Sequence, residues 1–244
     1  SVALKLFTGI EKFEIMAIPF FILAGNFLTH GGVARRMIAF ATSMVGHWHG
    51  GLGLGGVLAC ALFAAVSGSS PATVVAIGSI LMPAMVKAGF PKGFGAGVIT
   101  TSGALGILIP PSIVMVMYSV STNTSVGALF MAGVIPGILL AFFLGLTTWY
   151  RAKKFNYPCQ PKATWAERWT SFRNAIWGLL LIVVVMGGIY SGMFTPTEAA
   201  AMSAVYAFVV AVFVYKDMGL KDVPRVLLAS ANMSAMLLYI ITNA

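Results

Sequence analysis

A short polar segment interrupts the apolar stretch between residues 51 and 86. It runs from Ser67 to Thr73 and contains three serines, a glycine and a proline. The apolar arms on its two sides are each too short to cross a bilayer, because a spanning helix needs about 20 apolar residues. Broken backbone at this depth is tolerated only where protein buries it or where it lines a cavity. We therefore interpret the segment as the tip of a re-entrant hairpin that holds an ion or a substrate.

Charged residues are too scarce for a water-soluble fold. Hydrophobic residues make up 59% of the 244 residues, charged residues make up 9%, and the mean hydropathy is +0.94. These values predict an all-α integral membrane protein with several crossings. The net charge of +9 resides in short loops between apolar runs, which indicates orientation in the lipid bilayer and argues against nucleic-acid binding. Cys60 and Cys159 are far apart in sequence and in predicted depth, so we expect neither a disulfide nor a transition-metal site.

The basic residues predict which loops face the cytoplasm. Loop 151–174 carries six Lys or Arg residues against a single Glu, and by the positive-inside rule it is cytoplasmic. Each span crosses the membrane once, so counting back from the cytoplasmic loop 151–174 places the uncharged loop 121–125 on the opposite side and Lys87 in the cytoplasm. Arg36 is also expected in the cytoplasm because of its positive charge. The stretch 51–86 then begins and ends on one face. A hairpin satisfies this arrangement; two full crossings would also satisfy it, but 36 residues are short for two spans of about 20 residues and a turn.

A second break lies within the span from Phe94 to Val120. Thr100–Gly103 is a run of small polar residues, and Gly106–Ser112 contains consecutive prolines at Pro110 and Pro111, which cannot continue a regular helix. Two breaks placed within the membrane are expected at the midplane site of a secondary transporter. Serine hydroxyls and unwound carbonyls suit a small cation such as sodium, and free amides at half-helix N-termini favour an anionic substrate. No Asp or Glu is predicted at mid-depth, so we expect a sodium gradient as the driver instead of a proton relay.

Each polar motif also has a simpler structural interpretation. Small residues are enriched where membrane helices pack, so either break alone is compatible with packing. His47 and His49 suggest a metal, but residues two apart diverge on a helix, and Trp48 between them favours the headgroup level. Thr195–Glu198 has the pattern of a capping box, which accounts for Glu198 at a helix start; a functional membrane carboxylate is the alternative.

Four motifs carry a resemblance to a known family. In chain order they are Ile18–Gly25 (IPFFILAG), Ser67–Thr73 (SGSSPAT), Gly106–Ile113 (GILIPPSI) and Gly192–Ala201 (GMFTPTEAAA). In this order and combination the chain resembles the large membrane (M) subunit of the tripartite ATP-independent periplasmic (TRAP) transporters. The resemblance implies the ion-transporter-superfamily fold: polytopic helices with a re-entrant helical hairpin and a broken helix, working by an elevator-type cycle.

The resemblance implies a transporter and not an enzyme. It implies Na⁺ as the coupling ion with no other cofactor, and an organic-acid substrate of the dicarboxylate, sialic acid or keto acid type. A periplasmic binding protein (P) would deliver the substrate, and a small membrane subunit (Q) would complete the complex in the bacterial inner membrane. Carried over from the family's motifs, the sodium-binding residues are Ser67, Gly106, Ile109 and Pro111. The candidates for substrate binding beside the same tips are Ser69, Ser70, Thr73 and Ser112.

The resemblance also divides the chain. We expect a scaffold helix and an interfacial amphipathic segment in 1–50, and the transport-domain hairpin with the unwound helix in 51–126. Scaffold or linking helices, with the cytoplasmic loop 151–174, are expected in 127–225. Residues 226–244 would begin a second inverted repeat, so the second half of the family's site falls outside the chain, which we interpret as a piece of a longer protein.

Three alternatives remain on sequence alone. One is a sodium/dicarboxylate symporter of the same superfamily that works without a binding protein. Another is a structural membrane subunit that transports nothing, which would not need two broken helices. The third is an intramembrane enzyme, which would need a catalytic pair within the spans; the three histidines lie near predicted segment ends instead.

Overall fold

The structure is a computed structural model that describes residues 2–9 and 11–243, and its regular elements there are all helical. Ser1, Ile10 and Ala244, which belong to the first and last predicted segments, lie outside the described residues. The helices of the first half are α1 Val2–Gly9, α2 Ala17–His30, α3 Val33–Val45, α4 Gly51–Ser67, α5 Ser70–Ala88, α6 Lys92–Gly103, α7 Leu105–Leu108 and α8 Ile113–Thr122. Those of the second half are α9 Val126–Lys154, α10 Trp165–Tyr190, α11 Pro196–Val209 and α12 Val223–Asn243.

The described helices are those of a polytopic membrane protein. Six continuous helical segments are long and apolar enough to cross a membrane, and a bent pair supplies a seventh if it counts as one span. The bent pair joins Lys92–Leu108 to Ile113–Thr122 at an angle of 42°. The predicted all-α integral membrane fold with a broken helix is confirmed. The prediction that both arms of 51–86 are too short to cross a bilayer is wrong for the second arm, because α5 has 19 residues and is one of the six candidate spans, whereas α4 has 17 and is not.

Long-range contacts sort the loops to the two ends of the bundle. Three contacts join the basic segments at one end: the ion pair of Arg36 with Asp217, the hydrogen bond from Arg168 Nε to the Ser43 carbonyl (3.2 Å), and the ring contact of Phe94 with Tyr157 (4.7 Å between centroids). At the other end, Lys12 donates hydrogen bonds to the Asn123 side chain and the Val120 carbonyl. The basic loops therefore lie opposite the uncharged loop 121–125, which is the arrangement that the count along the spans predicts.

Helices α4 and α5 form an antiparallel hairpin that starts and ends at the basic end. A Cβ on Gly56 would meet the Leu81 side chain, and one on Gly53 would lie 3.8 Å from the Met85 side chain, so residues at nearly equal distances from Ser69 meet across the hairpin. The tip reaches the break between α7 and α8. Since α8 continues for 10 residues, or about 15 Å at 1.5 Å per residue, the tip stops well short of the opposite end of the bundle.

Two boundaries differ from the sequence pattern. The predicted loop 151–174 ends earlier than expected, because Thr164 and Glu167 form a capping box that starts α10 at Trp165. The polar run Thr100–Gly103 forms the last turn of α6, and Ala104 separates that helix from α7. The hydroxyls of Thr100 and Thr101 donate to the carbonyls one turn earlier, at 2.7 Å each, which satisfies them within the helix.

A third boundary follows the sequence pattern. Thr195 accepts a hydrogen bond from the Glu198 N–H (3.2 Å), and the Glu198 carboxylate accepts one from the Thr195 N–H (2.9 Å). The capping box predicted from the sequence is therefore present at the start of α11.

The sidedness of the hairpin is testable by cysteine accessibility. In a full-length protein carrying Cys60→Ala and Cys159→Ser, we expect Lys87→Cys and Lys221→Cys to react with a membrane-impermeant maleimide only in inside-out vesicles. Ser121→Cys should react only in intact spheroplasts, because the uncharged loop lies at the opposite end. The background without cysteines is the control, and labelling of positions 87 and 121 from the same side would contradict the arrangement.

Candidate functional site

Only two residues separate the helices at the hairpin tip. Helix α4 ends at Ser67, Gly68 adopts a left-handed conformation (φ 63°), and Ser69 is extended and caps α5. The Ser69 hydroxyl accepts a hydrogen bond from the Ala72 N–H at 3.4 Å. A side chain at Gly68 would be strained in this conformation, and its Cβ would lie 2.8 Å from the Pro111 carbonyl oxygen. The tip is thus tighter than the predicted Ser67–Thr73 segment, and its last four residues form the first turn of α5.

The second break leaves backbone carbonyls without their helical hydrogen-bond donors, because proline has no N–H. In a continuing helix the carbonyls of Gly106 and Ile107 would accept from residues 110 and 111, which are both proline. Ser112 replaces one of these donors, since its hydroxyl donates to the Ile107 carbonyl at 2.8 Å while it also caps α8. The carbonyl of Gly106 has no such helical donor.

The tip and the break are in direct contact. The Ile113 N–H donates a hydrogen bond to the Gly68 carbonyl at 2.9 Å. On the other side of the contact, a Cβ on Gly106 would lie 2.7 Å from the Ser70 nitrogen and 2.9 Å from the Ser69 carbonyl oxygen. Glycine at 106 therefore allows two unwound backbones to touch, and the residues predicted at the two breaks converge on one place.

A buried group of oxygens lies at the tip. Ser67 and Thr73 are fully buried, and their hydroxyl oxygens are 3.1 Å apart. The Thr73 hydroxyl donates to the Ser69 carbonyl at 2.8 Å, and the Ser67 hydroxyl lies 3.4 Å from the same oxygen. These are hard, uncharged oxygen donors in a confined volume, the type of ligand that small hard cations prefer.

Helix ends give the site both signs of potential. The amide ends of α5 and α8, at Ser69 and Ser112, carry partial positive charge, whereas the carbonyl end of α4 at Ser67 carries partial negative charge. Residues 67–73 and 104–112 contain no ionisable side chain. The site can therefore hold a cation at its carbonyls and an anion at its amides. These segments contain no side chain that could bind and release a proton.

The four predicted substrate residues differ in exposure. Ser69 and Ser70 are half-buried, and the Ser69 hydroxyl accepts the capping hydrogen bond from the Ala72 N–H. Thr73 and Ser112 are fully buried, and their hydroxyls already donate to the carbonyls of Ser69 and Ile107. The structure brings all four to one place, and only the first two are partly exposed.

Several residues that pack around the site were not assigned from the sequence. Gly25 of α2 meets Ser67, since a Cβ on this glycine would be 3.4 Å from three Ser67 atoms. Gly137 of α9 lies over Ile109, with its added Cβ 2.9 Å from Cγ1. The small-residue spacing on α9 predicts a packing face, but not that this face covers the break.

Ser102 is a further residue that the sequence did not single out. It is fully buried, and its hydroxyl has no hydrogen-bond partner among the described residues. It lies four residues before Gly106, one helical turn away and on a similar face of the chain. That spacing is the signal by which it was detectable.

We expect Gly106→Ala to destabilise the fold by about 1–3 kcal/mol, the usual cost of overpacking, because the new Cβ collides with the backbone of Ser69 and Ser70. The measurement is thermal unfolding of the purified full-length protein in detergent. Gly97→Ala on the preceding helix, α6, is the matched control, since nothing lies within 4 Å of its added Cβ. Equal melting temperatures for the two variants would contradict the direct contact of tip and break.

Comparisons with known proteins agree with one another. The DctM component of the tripartite ATP-independent periplasmic transporter matches residues 1–244. A C4-dicarboxylate TRAP transporter large permease protein of Rhodobacter capsulatus is 76% identical over 100% of this chain and 59% of its own length. Proteins of the same description from Pseudomonas aeruginosa and Vibrio cholerae are 56% and 49% identical over 100% of this chain, and over 57% and 58% of their own lengths. The chain thus spans somewhat under three-fifths of the length of these relatives.

Proposed function

The chain belongs to the DctM component family of the tripartite ATP-independent periplasmic transporters, which are transport proteins and not enzymes. We propose that it supplies one half of the transport site of a sodium-coupled C4-dicarboxylate permease. The observation that carries the proposal is the direct contact between the hairpin tip and the broken helix, joined by the Ile113 to Gly68 hydrogen bond. The dicarboxylate assignment rests on the descriptions of the relatives that are 49–76% identical.

We place a sodium ion between the tip and the break. The ligands would be the Ser67 hydroxyl and the carbonyls of Gly106, Ile109 and Pro111, all uncharged oxygens. Gly106 is the best supported of the carbonyls, because Pro110 removes its helical donor. Ser67 is already positioned by Thr73 and by the Ser69 carbonyl, so its hydroxyl would need little reordering to turn a lone pair toward the ion.

We place one carboxylate of the substrate at the amide ends of α5 and α8. Ser69 and Ser70 would contact it, since they are half-buried beside the tip, while Thr73 and Ser112 hold the two helix starts in place. A bound sodium ion a few ångströms away would add attraction for the same carboxylate. Binding of the ion and of the anion would then favour each other, which is the condition for coupled transport.

The hairpin and α6 have the contacts expected of one moving unit. Val74 fits against Gly103, and Ile99 fits against Gly78, so side chains of each helix fill the space left by glycines of the other. We propose that the hairpin is re-entrant and that this unit moves as a body in an elevator-type cycle. In the whole protein, a periplasmic binding protein and a small membrane subunit would complete the system in the inner membrane.

The sodium ligand is tested by Ser67→Ala. We expect its apparent sodium affinity to fall about tenfold, equivalent to about 1.4 kcal/mol, because one ligand oxygen is lost while the helix end is kept. The measurement is uptake of radiolabelled succinate into proteoliposomes containing the full-length permease and its small subunit, over a series of sodium concentrations. Ser79→Ala is the matched control, since Ser79 lies on α5, is exposed and bonds only within its own helix. An unchanged sodium dependence in Ser67→Ala would remove this residue from the site.

Two changes of conditions separate the alternative functions. Replacing sodium by choline should abolish uptake by the unmodified protein, and uptake that continues would contradict sodium coupling. Omitting the periplasmic binding protein should also abolish uptake. Full uptake without it would favour the symporter that works alone, and absence of uptake under every condition would favour a structural subunit.

A further inference from the structure

An apolar groove separates the start of the hairpin from α9. It has a volume of about 470 Å³. Its lining residues come from the end of α3, from the loop after it, from α4 and from α9, and they include Trp48, Leu58, Phe142, Gly145 and Trp149. None of them is charged. We propose that this groove binds one acyl chain of an anionic phospholipid from the cytoplasmic leaflet.

The length of the groove fits one leaflet. Its lining on α9 runs from Ile138 to Trp149, which is about 17 Å at 1.5 Å per residue. The hydrocarbon core of a bilayer is about 30 Å thick, so the groove is about as deep as a single leaflet. A transmembrane helix docked alongside would follow α9 through both leaflets, whereas this groove ends near mid-depth.

The chemistry of the lining argues in the same direction. Its side chains are aliphatic or aromatic, and a flexible hydrocarbon chain can cover such a surface without needing a hydrogen-bond partner.

The end of the groove at the basic side has headgroup chemistry. Trp48 and Trp149 line the groove there, and together with His47 and His49 they also line a smaller adjoining cavity. Indole rings favour this depth in a membrane. The Nδ1 atom of His47 is buried and has no hydrogen-bond partner among the described residues.

Lys153 supplies the charge complement for a phosphate. It is exposed, it lies one turn beyond Trp149 on the same face of α9, and its ammonium nitrogen is 5.0 Å from the centre of the Trp149 ring. A phosphate at the mouth of the groove would be within reach of this ammonium group, and a basic residue near an anionic membrane surface adds attraction. The combination of charge and depth selects an anionic lipid of the cytoplasmic leaflet.

The lipid's acyl chain is tested by filling the groove. Gly145→Leu adds a side chain where the nearest atom to the new Cβ is 3.9 Å away, so the fold can accept it. In delipidated full-length protein, native mass spectrometry should show retention of added phosphatidylglycerol by the unmodified protein and loss of one retained lipid in Gly145→Leu. Gly187→Leu is the matched control, because Gly187 is exposed on α10 with nothing within 4 Å of its added Cβ. Equal retention by both variants would overturn the proposal.

The headgroup is tested by charge and by lipid class. The unmodified protein should retain phosphatidylglycerol about tenfold more tightly than phosphatidylcholine of the same chains, and Lys153→Gln should abolish that preference. Lys221→Gln, which removes an exposed charge from the loop before α12, should leave it intact. Equal binding of the two lipids by the unmodified protein would overturn the anionic specificity.

The competing occupants are protein segments. A photoreactive benzoylphenylalanine at Leu58 in the full-length protein, irradiated in native membranes, should give adducts with phospholipid. An adduct with another segment of the same chain or with the small subunit would overturn the proposal. The result does not depend on the sodium-coupled uptake assay, so the lipid proposal and the transport proposal are tested separately.

Discussion

The hydrogen bond from the Ile113 N–H to the Gly68 carbonyl, at 2.9 Å, holds the two broken helices together. Lipid offers no partner to an unpaired backbone group, so a helix can break at depth only if something else completes its hydrogen bonds. Here each break supplies part of what the other lacks. The position of the hairpin tip and the convergence of three helix ends depend on that pairing.

Glycine and proline determine how this pairing is reached. Gly68 and Gly106 let unwound backbones approach to distances that any side chain would prevent, and Gly25 and Gly137 let α2 and α9 close over the outside. Pro110 leaves a carbonyl without a helical donor, and Ser112 satisfies the neighbouring one. The result is a site made almost entirely of main-chain dipoles and hydroxyls. Its affinity for ions would therefore depend on geometry more than on charge.

Sequence alone was sufficient for the architecture because its determinants are local. Length and hydropathy identify the spans, the paired prolines identify the second break, and the Thr195–Glu198 pattern starts α11 at the expected residue. Hydropathy does not identify the start of α10 at Trp165, because the capping box at Thr164 begins this helix within a polar segment. The contact of Gly106 with the tip depends on the register between distant segments, which no local pattern encodes.

The order of synthesis makes the contact between the hairpin tip and the broken helix a late step of assembly. Gly68 leaves the ribosome 45 residues before Ile113, so its carbonyl lacks this partner while α4 and α5 are being made. The Ile113 N–H can donate to that carbonyl only after the chain has passed residue 113. The convergence of the three helix ends at the tip therefore comes after the synthesis of both hairpin arms and of the second break.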